Sequence, residues 1–166
     1  MLNNKKILIT GIANKFSIAN GIAQSMSKNG AELAFAYQNE RLLRKIKPIA
    51  DDLGVKTLIE CDVACDKSIE QTFTQLKDEW GTLDGIVHSI GFAPSDQLDG
   101  DFTEVTTREG FQIAHDISSY SFTALAKGAL PILSENAALL TLTYLGSIQS
   151  LPNYNVCLLY TSPSPR

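Results

Sequence analysis

The stretch Lys5–Gly11, Lys-Lys-Ile-Leu-Ile-Thr-Gly, determines how the rest of the sequence is interpreted. Ile7, Leu8 and Ile9 form a short apolar run without the alternation of a half-exposed strand, which is typical of a parallel strand covered on both faces. Gly11 follows where the chain must turn off the strand, and a residue without Cβ lets a ligand approach the backbone there. The stretch therefore predicts a buried strand followed by a sharp turn.

A helix is predicted directly after this turn. Ser17 can cap a helix that begins near Ile18, and the free N–H groups of a first helical turn attract phosphate. The spacing of Gly11, Ser17 and Gly21 differs from the three-glycine fingerprint of dinucleotide-binding proteins. Taken alone, the turn fits an ordinary strand–helix connection as well as a nucleotide-binding loop.

The rest of the sequence alternates between strand and helix patterns. Strands are predicted at 31–37, 55–60, 83–89 and 137–142, and helices at 18–29, 39–53 and 66–80. The stretch 103–133 is helical in character. Pro48 predicts a kink or a break in the second helix, and Asp66 or Ser68 is expected to cap the third. This order predicts an α/β fold, a Rossmann-like doubly wound parallel sheet with strand order 3-2-1-4-5.

Composition excludes several classes of protein. The chain has 166 residues, 44% of them hydrophobic and 19% charged, as expected for one soluble globular domain. A net charge of −4 argues against nucleic-acid binding. No apolar run reaches the roughly twenty residues that span a bilayer, and no signal peptide is evident, so a cytoplasmic location without membrane partners is expected. Cys61, Cys65 and Cys157 lack metal-ligand spacing, and no metal site is expected.

In a doubly wound sheet, ligands bind beyond the carboxyl ends of the strands. Gln38 follows the second strand, where it can bond a ribose hydroxyl but supplies no charge for a 2′-phosphate. Asp62 follows the third strand, where it either accepts a bond from an adenine amino group, with Val63 packing on the ring, or caps a helix. Because Arg41 is nearby, the choice between NADH and NADPH as the cofactor stays open, and NADH is favoured.

Two tyrosines and two histidines are further candidates. Tyr144 and Tyr154 flank a loop, and a phenol can donate a proton or hydrogen bond to an oxygen that becomes negative, although tyrosines near strand ends more often pack. His88 lies in an apolar strand and His115 in a helix pattern, so both are interpreted as structural.

Several motifs along the chain occur together in one family: Ile9–Ala13, Ser17–Ala23, Ala36–Asn39, Cys61–Val63, His88–Pro94, Gln97–Asp101, Ile113–Phe122, Leu140–Gly146 and Pro152–Val156. Together they resemble bacterial NADH-dependent enoyl-acyl carrier protein reductases, which are divergent short-chain dehydrogenases/reductases of type II fatty acid synthesis. The resemblance extends from about Lys5 to Val156.

The resemblance implies functions for individual residues: pyrophosphate contacts by Gly11, Ser17 and Ile18; ribose binding by Gln38; adenine binding by Asp62 and Val63; contacts to the central cofactor by Ile90 and Gly91; acyl-substrate contact by Ala93; the catalytic phenol of Tyr154; and an assisting, pocket-lining Tyr144. It also implies NADH as cofactor, an enoyl substrate bound to acyl carrier protein, and a homotetramer.

The end of the chain departs from the family pattern. The family carries a Lys seven residues after the catalytic Tyr, where this chain has Thr161, and no Lys follows Val156. Residues 1–156 are therefore interpreted as the N-terminal part of a reductase domain, and 157–166 as a disordered tail foreign to the family. The polypeptide is expected to be poorly soluble and inactive.

Two alternatives stay open at this point. The first is another short-chain reductase, such as a 3-oxoacyl reductase, although the Ser that usually precedes the catalytic Tyr in those enzymes is not seen. The second is a nucleotide-binding module that has lost catalysis.

Overall fold

A computed structural model describes residues 1–144 of the chain. Tyr154, Thr161 and the tail from Cys157 lie outside the described residues, and the predictions about them stay predictions. The chain divides into two compact units. The first contains Met1–Ser89 and Ala124–Thr141, and the second contains Ile90–Thr123 and, among the described residues, 142–144.

The first unit is built on a five-stranded parallel sheet. Its strands are β1 (Lys6–Ile9), β2 (Glu32–Tyr37), β3 (Thr57–Glu60), β4 (Leu83–His88) and β5 (Leu133–Thr141). Their order is β3-β2-β1-β4-β5, with every pair parallel, which confirms the predicted doubly wound sheet. β5 begins earlier than predicted because Leu133 already pairs with Leu83, before an irregularity in the β4–β5 register.

Six α-helices are described: α1 (Ile18–Lys28), α2 (Glu40–Leu53), α3 (Asp66–Trp80), α4 (Phe102–Val105), α5 (Arg108–His115) and α6 (Ser121–Ala129). The region 103–133, predicted to be helical in character, is helical over most of its length but is divided into several pieces. Thr106 and Thr107 separate α4 from α5, and a π-helical turn, Asp116–Tyr120, separates α5 from α6. Within residues 1–144, every helix is too short or too polar to span a bilayer.

Two local predictions about helices also differ from the structure. The predicted break at Pro48 is wrong, because α2 continues through this exposed residue, while a kink there stays a prediction. The N-cap of α3 is Cys65, not Asp66 or Ser68. Asp66 is the first helical residue, and the Ser68 hydroxyl accepts a hydrogen bond from the Asp62 N–H at 2.9 Å.

The sheet is covered on both faces, as the unbroken apolar run of β1 predicts. Ile7 and Ile9 lie in one buried cluster with apolar residues of α1 and α2, whereas Leu8 lies in a second cluster with residues of α3 and α6. Leu8 and Ile9 are fully buried. Successive side chains of a strand point to opposite faces, so both faces require apolar residues here.

The amino ends of three strands are joined by Asp84. One carboxylate oxygen accepts from the Lys5 ammonium at 2.8 Å and from the Ser134 hydroxyl at 2.9 Å, and the other accepts from the Lys6 N–H at 3.0 Å. Partial burial opposes ionisation, but these hydrogen bonds outweigh it and lower the pKa of Asp84. The carboxylate therefore connects β1, β4 and β5.

His88 is buried at the carboxyl end of β4. Only 1% of its surface is exposed, and its Nδ1 lies 3.2 Å from the Thr141 hydroxyl of β5. Burial lowers the pKa of His88 from 6.5 to about 4, so the ring is neutral at pH 7. This environment agrees with the structural role predicted from the sequence.

The Asp84→Asn variant is expected to lower the free energy of unfolding by about 1–3 kcal/mol, because the charge-assisted bonds are weakened and one partly buried acceptor becomes a donor. Urea denaturation measures this effect, with the exposed Asp99→Asn as the matched control. The lowered pKa of Asp84 makes its contribution complete above the unfolded-state pKa, and the contribution is lost as the pH falls through the folded-state pKa. Equal urea midpoints for wild type and Asp84→Asn would contradict the role of this carboxylate.

His88 is expected to make stability depend on pH. Below pH 6.5 the unfolded chain protonates this residue while the folded protein keeps it neutral until about pH 4. The stability that the neutral His88 contributes is therefore fully present above pH 6.5. The free energy of unfolding falls by up to about 3 kcal/mol as the pH decreases toward the folded-state pKa. Urea titrations across this range are expected to show a shallower pH dependence for His88→Gln than for the exposed control His115→Gln. Identical pH profiles for these two variants would refute the assignment.

Candidate functional site

The chain leaves β1 through a left-handed turn at Gly11. Its φ is +82°, a conformation that residues with a Cβ adopt only under strain. The preceding residue, Thr10, is still bonded to β4. Its N–H and its hydroxyl both donate to the Val87 carbonyl, at 2.9 and 3.1 Å. The turn therefore begins at a fixed point, at the carboxyl end of the two central strands.

The loop between Gly11 and α1 is held by its own polar groups. The Ser17 hydroxyl oxygen accepts from the N–H groups of Ala13 and Asn14, both at 3.0 Å. The Asn14 side chain in turn accepts from the Phe16 N–H at 2.8 Å. Ser17 occupies the N-cap position of α1, but its side chain does not cap the helix, so the predicted side-chain cap is wrong. The hydroxyl orders the loop instead.

Asn20 adds a restraint from inside the helix. It is 3% exposed, and its side-chain amide donates to the Lys15 carbonyl at 2.8 Å. A buried polar group in the first turn of α1 thus ties the helix to the middle of the loop.

The start of α1 is suited to an anion. The first N–H groups of a helix have no intrahelical acceptor and carry partial positive charge, and here no side chain caps them. Ser17 uses its oxygen as an acceptor, which leaves its O–H proton as a donor toward a ligand. Ile18, the first helical residue, is 69% exposed. A phosphate group is the ligand that this arrangement favours.

The ends of β2 and β3 bring two predicted binding residues together. The Gln38 amide nitrogen lies 3.5 Å from a carboxylate oxygen of Asp62. The same oxygen accepts from the Ala64 N–H at 3.1 Å, so Asp62 forms a turn two residues long and does not cap α3. The alternative that Asp62 caps a helix is therefore not supported for α3. Val63 beside it is half-buried and packs partly against the core, while Arg41 is exposed.

The remaining predicted residues of the described region belong to the second unit. Ile90 and Ala93 are half-buried and Gly91 is exposed, in the segment that follows β4. The residue between them, Phe92, bonds through both its N–H and its carbonyl to the Ser118 hydroxyl, each at 2.9 Å. The segment is therefore fixed by its backbone.

Of the two predicted tyrosines, only one is described. Tyr144 is 45% exposed, and Tyr154 lies outside the described residues. The catalytic pairing of the two phenols therefore stays a prediction.

Comparison with known proteins gives consistent matches over most of the chain. A family model described as "Enoyl-(Acyl carrier protein) reductase" matches residues 11–161, a range that extends into the segment predicted to lie outside the family. The protein named "Enoyl-[acyl-carrier-protein] reductase [NADH] FabI" of Escherichia coli K12 is 56% identical over 93% of this chain, and its namesake from Enterococcus faecalis is 45% identical over the same share.

Solved structures agree with these matches. The enoyl-[acyl-carrier-protein] reductase (NADH) of Aquifex aeolicus VF5 superposes with a TM-score of 0.93 at 43% identity, covering 96% of this chain and 64% of that one. The Anaplasma phagocytophilum reductase, solved in complex with NAD, gives a TM-score of 0.92 at 37% identity, covering 96% of this chain and 61% of that one.

The chain spans about three fifths of the length of its curated relatives, 59% for the Escherichia coli protein and 61% for the Enterococcus faecalis protein. Sequence identity, family match and fold all point to the same group. The chain therefore belongs to the enoyl-[acyl-carrier-protein] reductase family of short-chain dehydrogenases/reductases.

Proposed function

We propose that this chain carries the nucleotide-binding part of an oxidoreductase that reduces trans-2-enoyl-acyl carrier protein with NADH in type II fatty acid synthesis. The observation that supports this best is the loop after β1. This loop contains Gly11 in a left-handed conformation and the Ser17 hydroxyl, whose proton can be donated to a ligand, and it leads into the start of α1, which no side chain caps. Relatives of the same family are named for NADH.

The pyrophosphate of the cofactor is proposed to bind at Gly11, Ser17 and Ile18. Gly11 gives close access to the backbone, since no Cβ projects from the turn. The Ser17 hydroxyl donates a hydrogen bond to a phosphate oxygen, and the N–H groups at Ile18 and beyond provide the positive end of α1. The loop is already ordered by its own hydrogen bonds, so little conformational entropy is lost on binding.

The adenosine half is proposed to bind at Gln38, Asp62 and Val63. The Gln38 amide bonds a ribose hydroxyl, Asp62 accepts from the adenine amino group, and the exposed part of Val63 packs on the ring. A carboxylate 3.5 Å from Gln38 would repel a 2′-phosphate, and this supports NADH over NADPH. Arg41 is the exposed cation that opposes this preference.

The reaction then depends on residues that follow β4 and β5. Bound NADH supplies the hydride for the β-carbon of the enoyl thioester. Ile90 and Gly91 are proposed to contact the central part of the cofactor, and Ala93 the acyl chain. The phenol of Tyr154 donates to the thioester oxygen, a bond that strengthens as negative charge develops there, and Tyr144 lines the acyl pocket.

Turnover by the 166-residue polypeptide itself is proposed to be absent. Thr161 stands where the family pattern has a Lys that holds the nicotinamide ribose, and no other Lys follows Val156. Without that cation the ribose and the phenol lack their positive partner. A homotetramer and a cytoplasmic location are proposed for the intact protein, from the family resemblance alone.

The pyrophosphate site is tested by Ser17→Ala. Loss of the hydroxyl removes the donor to the phosphate and frees two loop N–H groups, so NADH affinity is expected to fall about tenfold. Isothermal titration calorimetry on the full chain measures this, and Ser25→Ala, an exposed serine of the same helix, is the control. Absence of NADH binding by the wild-type chain would overturn the proposed function.

The proposed lack of turnover is tested by a spectrophotometric assay with a trans-2-enoyl thioester and NADH. The purified 166-residue polypeptide is expected to bind NADH without oxidising it, because the Lys is missing. Steady oxidation of NADH that depends on the thioester would contradict the proposed lack of turnover. It would not contradict the proposed binding site for NADH.

A further inference from the structure

The helical segment after α5 is interrupted at a place where it contacts the loop following β4. α5 ends at His115, a π-helical turn occupies Asp116–Tyr120, and α6 begins at Ser121. A π turn inserts an extra residue into a helix and commonly marks a functional position. Neither the apolar spacing of the sequence nor the family resemblance gave this turn a role.

A serine supports the π turn from within. The fully buried Ser121 hydroxyl donates to the Ile117 carbonyl at 2.6 Å, inside the turn. This bond satisfies a carbonyl in a segment whose regular helical ladder is disturbed. The extra residue is thus stabilised where it stands.

A second serine uses the turn to hold the loop. Ser118 is 5% exposed, and its hydroxyl both accepts from the Phe92 N–H and donates to the Phe92 carbonyl, each at 2.9 Å. One hydroxyl group therefore satisfies both backbone polar groups of a loop residue. Phe92 is 48% exposed, so its side chain is only partly packed.

This contact fixes two consecutive peptide planes. The Phe92 N–H belongs to the peptide that joins it to Gly91, and its carbonyl belongs to the peptide that joins it to Ala93. Gly91 has wide conformational freedom of its own, so an external restraint is required to give the segment one conformation. The Ser118 hydroxyl supplies that restraint from both sides.

We propose that Ser118 is a positioning residue, which holds the segment Ile90–Ala93 in the conformation that receives the central part of the nicotinamide cofactor and the acyl substrate. This inference rests on the proposed function, because the ligands of the segment come from it. The restraint itself is a property of the contacts between Ser118 and Phe92.

The test compares Ser118→Thr with Ser118→Val, which have nearly the same shape and differ in the hydroxyl. Hydrogen exchange of the Phe92 amide reports the restraint, and the affinities for NADH and ADP report the ligand site. ADP occupies only the adenosine side and is the internal control. Circular dichroism verifies that each full-length variant is folded.

Relative to Ser118→Thr, Ser118→Val is expected to lose protection at the Phe92 amide and to bind NADH about tenfold more weakly, with ADP affinity unchanged. Where branched side chains disturb folding, Ser118→Ala against the neighbouring Ser119→Ala makes the same comparison. A general loss of stability would lower the affinities for NADH and ADP equally, and Ser118→Thr would not restore them.

Equal Phe92 protection in the threonine and valine variants would overturn the proposal, as would lost protection accompanied by unchanged NADH affinity. Failure of the wild-type chain to bind either nucleotide would instead overturn the proposed function. The exchange measurement separates these results, because it reads the restraint without any ligand.

Discussion

The structure depends on the pairing of β1 with two neighbours at once. Its residues Ile7–Ile9 pair in parallel with β2 on one side and with β4 on the other. The chain can satisfy both pairings only by crossing over each face of the sheet, which places α1 and α2 on one side and α3 and α6 on the other. The carboxyl ends of β1, β2 and β3 consequently carry Gly11, Gln38 and Asp62 at the same edge.

Most of this architecture could be predicted from the sequence, because it is encoded in apolar runs and glycines. The buried faces follow from such local patterns, and the strand order was inferred from the alternation of strands and helices. The helical character of 103–133 could be predicted, but its division into separate helices could not, because the interruptions depend on polar contacts. The Thr107 hydroxyl caps α5 by accepting from the Gly110 N–H, and the Ser121 hydroxyl stabilises the π turn by donating to the Ile117 carbonyl. Hydrogen bonds to specific backbone atoms leave no trace in apolar periodicity.

The candidate site was predictable in its positions and less so in its geometry. The sequence predicts candidate binding residues at strand ends, and in the structure two of them, Gln38 and Asp62, lie together there. It could not predict which way the Ser17 hydroxyl points, because capping the helix and ordering the loop both satisfy a serine at that position. Asn20 was missed for a related reason, since its partner is a backbone carbonyl that only the folded loop presents.

The three strands that Asp84 joins differ in structure between their amino and carboxyl ends. At their amino ends a carboxylate gathers an ammonium, a hydroxyl and a backbone N–H. At the opposite end β1 opens into the glycine turn that leads to α1. The contacts of Asp84 and the proposed phosphate site thus lie at opposite ends of the same short strands. Substitutions at Asp84 are therefore expected to change the free energy of unfolding while leaving the backbone of the glycine turn in place.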